Sequence, residues 1–147
     1  MTLNAQYLRS LVALLLFTSP FASAAEPSPL IGFWKMVKLE VMQDGELTQV
    51  PYSGQLIVSD KGTLSAQAMD MRPSPPDSPY TLNGYEALYG NIVIDDATGT
   101  FVNTVQSSVV KALIGQKMHR GFSVSGNQMV LTPVDKSKGW QVTYKRY

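Results

Sequence analysis

Glu40 and Arg120 are the residues whose type and spacing point most directly to chemistry. Each falls in step with apolar neighbours in a stretch that alternates every two residues: Trp34, Met36, Lys38, Glu40 and Met42 in one, Met118, Arg120 and Phe122 in the other. If Trp34 points inward and register is kept, both charges face an apolar interior. A carboxylate held there needs a counter-charge or keeps its proton to higher pH. Glu40 and Arg120 therefore form a candidate pair for orienting the polar end of a bound molecule, unless Glu40 sits at a solvated rim. Met36, Met69, Met118 and Phe122, with Tyr85 and Tyr89, are the candidates to hold its apolar body. Methionine is flexible and polarisable, and tyrosine offers a ring and a hydroxyl together. The same residues also suit a plainer role, the methionines filling a small core and the tyrosines, with Tyr52 and Tyr80, packing a lid.

Other chemistries find little support. No cysteine is present, which removes disulfides, a thiolate nucleophile and a cysteine-rich zinc site. His119 is the single histidine, and on the alternation it faces away from Met118, Arg120 and Phe122, as a surface residue does. No histidine pair or spaced acid cluster accompanies it, so no metal is expected. No nucleophile motif or phosphate-cradling glycine loop appears, and neither a catalytic residue nor a cofactor is assigned.

These residues sit on short strand-like segments. The chain opens with Arg9, an apolar run from Leu11 to Phe17, the helix-breaking pair Ser19-Pro20 and the small triplet Ala22-Ser23-Ala24, the order of a cleavable signal peptide. The run is about half the roughly 20 residues that a membrane-spanning helix needs. Residues 1–24 are thus read as a signal peptide and 25–147 as one exported domain, periplasmic or secreted, with no integral membrane segment after cleavage. Arg9 is the leader's only charge, which leaves eleven basic residues against eleven acidic ones. That balance argues against a nucleic-acid partner.

In the mature chain, strand character runs over 31–42, 54–59, 63–71, 91–94, 100–109, 117–124, 128–132 and 140–147. Turn chemistry such as Asp44-Gly45, Asp60-Lys61-Gly62 and Ser125-Gly126-Asn127 separates the segments. Residues 72–79 are half proline and read as a loop, and 80–89 is the one stretch where a helical turn or two is expected. About eight strands spaced by roughly 8 to 12 residues, without crossover helices, predict an all-β antiparallel up-and-down barrel.

The opening Gly32-Phe33-Trp34, within IGFWKMVKLEV, resembles the Gly-x-Trp start of the lipocalin and fatty-acid-binding-protein superfamily. With GQLIVSDKGTLSAQAM, YEALYGNIVIDDATGTFVN, HRGFSVSGNQMVLTP and the closing WQVTYKR, nearly the whole mature chain is similar to the bacterial lipocalin-like domain family. Members often carry two consecutive arginines before the phenylalanine of the seventh segment, where this chain has Arg120-Gly121-Phe122. The resemblance implies an eight-stranded barrel with an apolar cavity. Trp34 is expected to close one end beneath a cation, Arg120 or Arg146, so Gly32, Trp34 and Arg146 are given structural roles. The expected function is binding or carriage of a small apolar molecule, with oligomeric state left open. The alternatives are an isomerase- or cyclase-type barrel enzyme and a packed-barrel envelope interaction or stress protein.

Overall fold

The computed structural model describes residues 26–76 and 78–147; the expected signal peptide, 1–24, lies outside the described residues. Nine strands follow one another: β1 (Gly32–Gln43), β2 (Glu46–Val50), β3 (Tyr52–Val58), β4 (Thr63–Asp70), β5 (Tyr85–Asp95), β6 (Thr100–Ser108), β7 (Lys117–Ser125), β8 (Gln128–Pro133) and β9 (Trp140–Arg146). From β3 onward each pairs antiparallel with the next, and β9 returns to β1, so the sheet closes on itself. The strands β2 and β3 are two halves of one stave. The second half of β1 pairs with β2 and its first half with β3. Pro51, which lacks an N–H for the ladder, stands between them. The result is the expected closed antiparallel barrel of eight staves. Closure leaves only short stretches of unpaired edge, on β2 and at the start of β7.

Turn residues act where backbone sterics require them. Asp44 and Gly45 both take positive φ, 50° and 86°, and close the β1–β2 hairpin. Asn83 and Gly84 do the same at 53° and 79°, and Leu82 pairs with Tyr85 across them. This corrects the expected helical turn at 80–89: an Asn-Gly pair with positive φ reverses the chain, and Tyr85 already begins an eleven-residue strand. The only helical pieces among the described residues are two single turns, Lys111–Leu113 and Lys136–Lys138.

One end of the barrel is sealed. Trp34 is fully buried, its indole N–H donates to the Leu30 carbonyl at 2.8 Å, and the Arg146 guanidinium lies 4.1 Å from its ring centroid. Arg146 in turn donates to the carbonyls of Ile31 at 2.9 Å and Pro29 at 2.6 Å, which draws the segment before β1 across this end with Leu30 as a buried plug. Of the two expected cations, the structure selects Arg146. Gly32 is required beside it: its φ is +143°, and a Cβ there would collide with the Arg146 guanidinium.

A register shift in β1 sets up the other end. Trp34 and Met36 lie opposite Arg146 and Tyr144, but the next pair is Lys38 with Thr143, so Val37 is an extra residue in the ladder. A bulge of one residue exchanges the two faces of the strand beyond it. Trp34 and Met36 therefore share the interior with Leu39 and Val41, and the side chains of Lys38 and Glu40 turn outward.

Candidate functional site

The lumen is not filled by side chains. Two chambers, of about 110 and about 360 Å³, follow one another from mid-barrel to the open end and share Leu39, Tyr52, Glu86, Arg120 and Val142 in their walls. Met36, Leu56, Leu88, Phe101, Met118 and Leu131 give the inner chamber an apolar wall. The outer chamber is bounded by Val41, Val50 and Trp140 on the strands and by Pro76, Ser78 and Tyr80 of the proline-rich loop. That loop is held at its base by Asp70, a buried carboxylate that accepts from the backbone N–H of Arg72 at 3.0 Å and from its guanidinium Nε at 2.9 Å. The hydrogen bonds from Arg72 keep the Asp70 carboxyl below its ordinary range, against the opposing effect of burial.

At the waist between the chambers stand the groups able to do chemistry. Glu86 is on β5, in step with the inward Leu88 and Ile92, and opposite Ala68 of β4. Burial pushes its carboxyl up to about 7, and the Arg120 cation, not within salt-bridge distance, pulls only partly against that. The Arg120 guanidinium lies 5.2 Å from the Trp140 ring and 5.6 Å from the Tyr80 ring, and donates to the His119 carbonyl at 3.0 Å. Tyr144 lies in the inner wall, its hydroxyl pKa raised by burial and then by Glu86. Tyr52 is raised too, by burial first and by Asp70 second. Deeper in, Asn103 is buried and its side-chain Oδ1 has no hydrogen-bond partner among the described residues. An apolar body fits the inner walls, and a polar end fits the waist.

The structure brings some of the sequence-predicted residues together here and disperses others. Met36, Met118 and Arg120 line the inner chamber. Phe122 has the same phase but lies below it, packed at 6.2 Å on Phe101. Glu40 is on the outer surface because of the Val37 bulge; it accepts from Gln141 at 2.6 Å and pairs with Lys38 at 2.9 Å, and the Gln141 bond leads in holding its carboxyl below the usual range. Met69 and Tyr85 face each other on the outside of β4 and β5, since Ala68 and Asp70 take the inward positions on one strand and Glu86 on the other. Tyr89, of the same phase as Tyr85, is also exposed. His119 is exposed as expected, and no group of three metal-ligating side chains occurs among the described residues.

The carboxylate at the waist is thus Glu86, not the expected Glu40. Two signals pointed to the correct one. Apolar residues at 34, 36, 39 and 41 break the two-residue step once, as a bulge does. Glu86, Leu88, Gly90 and Ile92 alternate without interruption once the Asn83-Gly84 turn is recognised.

No protein-family model matches this chain, and no curated protein is similar to it. Among solved structures, the chain is similar to an uncharacterized protein from Bacteroides eggerthii DSM 20697, with 17% identity and a TM-score of 0.47 over 80% of this chain and 98% of that one. No helix among the described residues is long and apolar enough to cross a membrane.

Proposed function

We propose that this protein is an exported member of the bacterial lipocalin-like domain family that binds an apolar small molecule in its barrel, the polar end of the molecule at the Glu86–Arg120 waist. The observation that supports this most is the two-chamber lumen, mostly apolar in its depth, with the Glu86 carboxyl and the Arg120 guanidinium where it widens toward the open end. A neutral hydrogen-bonding group suits the waist, because Glu86 holds its proton up to about 7 and acts as a donor below that pH. The same carboxyl, beside Tyr52 and Tyr144, also supports a second reading, proton transfer on a bound substrate of the isomerase or cyclase kind.

Fluorescence titration of the mature chain with a neutral, environment-sensitive dye such as Nile red tests the first reading. Ala66→Phe, which places a ring in the inner chamber, is expected to weaken binding at least about tenfold with the circular dichroism spectrum unchanged. Met69→Arg, on the outer face, leaves binding intact. Absence of dye binding, or equal binding by Ala66→Phe, overturns the proposal. Glu86→Gln that retains dye binding yet abolishes a turnover found by substrate screening moves the assignment to the enzyme.

A further inference from the structure

A groove outside the barrel wall meets the cavity at Arg120, and we infer that it receives the anionic head group of an amphiphile whose apolar chain lies in the lumen. The inference rests on the cavity part of the binding reading above; it adds the class of ligand and, for an anionic head, moves the polar end from the waist to the groove on the far side of Arg120.

The groove exists because β7 acquires its β8 neighbour late. Arg120 is the first β7 residue paired with β8, opposite Pro133, whereas Lys117, Met118 and His119 are flanked only by β6. Between this unpartnered start of β7 and the loop after β8 lies a space of about 450 Å³. Lys117 and Lys138 stand on its two banks and Arg120 at its inner end. Its one carboxylate, Asp135, is committed elsewhere, accepting from the Ser137 N–H at 3.1 Å and the Ser137 hydroxyl at 2.6 Å. Three cations face one carboxylate, which acts in part on Lys138, and the balance of positive charge with the free N–H donors favours an anion. Leu113, Met118 and Val134 give the same groove apolar surface for the methylenes next to a head group.

Arg120 lines the groove and both chambers, and Tyr80 lines the groove and the outer chamber, so the groove borders the lumen at this pair, and the proposed chain crosses there. Glu86 decides on which side of Arg120 the head remains. An anion inside the lumen would share a poorly solvated space with a carboxyl that already resists ionisation, while in the groove the Arg120 guanidinium stands between the two. The ligand class is therefore a single-chain amphiphile with a phosphate, sulfate or carboxylate head outside the wall.

Competition against Nile red, below micelle-forming concentrations, with decyl phosphate, decanol and decyltrimethylammonium tests this. Decyl phosphate is expected to bind at least about tenfold tighter than decanol, and the ammonium compound no better than decanol. The double variant Lys117→Gln/Lys138→Gln, both exposed positions, is expected to bring decyl phosphate to within about twofold of decanol without changing decanol itself. Inorganic phosphate at the same concentration as decyl phosphate leaves these affinities unchanged. Equal affinities for decyl phosphate and decanol in the wild type, or a preference that survives the double substitution, overturn the head-group site while the cavity reading stands. Loss of the preference on adding equimolar inorganic phosphate shows a site for free anions and overturns the amphiphile. Failure of Nile red to bind at all overturns both readings.

Discussion

Each of the two tryptophans has an arginine over its ring, at opposite ends of the barrel, and the two pairs have different consequences. At the sealed end Trp34 is fully buried, and Arg146 lies 4.1 Å above it with donors spent on the Ile31 and Pro29 carbonyls. At the open end Trp140 is half-buried, and Arg120 lies 5.2 Å away with one hydrogen bond, to the neighbouring His119 carbonyl. A guanidinium has five N–H donors. Where two of them go to carbonyls of the segment before β1, the stack is a clamp on the chain; where one goes to the adjacent carbonyl and the others face a cavity, the same stack is a recognition group held in orientation. The ring beneath each arginine does not separate the two roles. The acceptors around it do.

Truncating the two rings breaks the comparison most directly. Trp34→Ala is expected to cost about 3 to 5 kcal/mol in urea unfolding, because it leaves a large void and releases the Leu30 plug. Trp140→Ala should cost at most about half as much, since its ring is only partly covered, and should weaken Nile red binding. Equal losses of stability from the two substitutions would show that the open end is as structural as the sealed one.

Glu86 provides the next largest effect, through pH. Its folded-state value of about 7 lies above the unfolded value of 4.5, so between these the native state binds more protons than the unfolded one and stability falls as pH rises. The full difference corresponds to an upper limit of about 3 kcal/mol, reduced by water that reaches the carboxylate through the cavity. Glu86→Gln should therefore leave stability near pH 4 almost unchanged and raise it above pH 7, by about 1 to 3 kcal/mol, when urea midpoints are compared across that range. A variant equally destabilised at both pH values would mean that Glu86 carries a structural hydrogen bond and is not a strained cavity carboxyl.

The fold was legible because strand alternation and turn chemistry are local properties. Asp44-Gly45, Asp60-Lys61-Gly62 and Ser125-Gly126-Asn127 separate segments that could close only as antiparallel neighbours. The sealed end was legible for a related reason: a glycine two residues before a tryptophan at a strand start leaves room for a cation that the closing strand supplies in Arg146. The site was legible only in part. Met36, Met118 and Arg120 precede any break in their strands' alternation and keep their predicted face. Glu40 lies beyond a bulge, and the residue a bulge inserts is chosen by the partner strand β9, more than a hundred positions away in sequence. Glu86 was hidden by reading Tyr80 to Tyr89 as helical, although Asn83-Gly84 carried the evidence for a reversal. The groove beside β7 depends on where β8 stops pairing, which no local pattern encodes.

Glu40 gives the smallest effect and the sharpest contrast with Glu86. Both are carboxylates on strands that line the barrel, yet Glu40 is held below 4.5 by Gln141 first and Lys38 second, on the outer surface. For a depressed value the sign reverses: the contribution to stability is present above pH 4.5 and is lost as pH falls through the folded-state value. Glu40→Gln should accordingly lower stability slightly and evenly from pH 5 to 8 and flatten a small part of the acid limb, where the wild type loses the same contribution. Because the side chain is outside the wall, Nile red affinity should match the wild type at every pH, whereas Glu86→Gln should alter the pH dependence of binding near 7. A binding defect in Glu40→Gln would place this residue in the lumen and refute the β1 bulge. Unchanged binding, together with a pH response that follows Glu86, assigns the cavity's charge to β5.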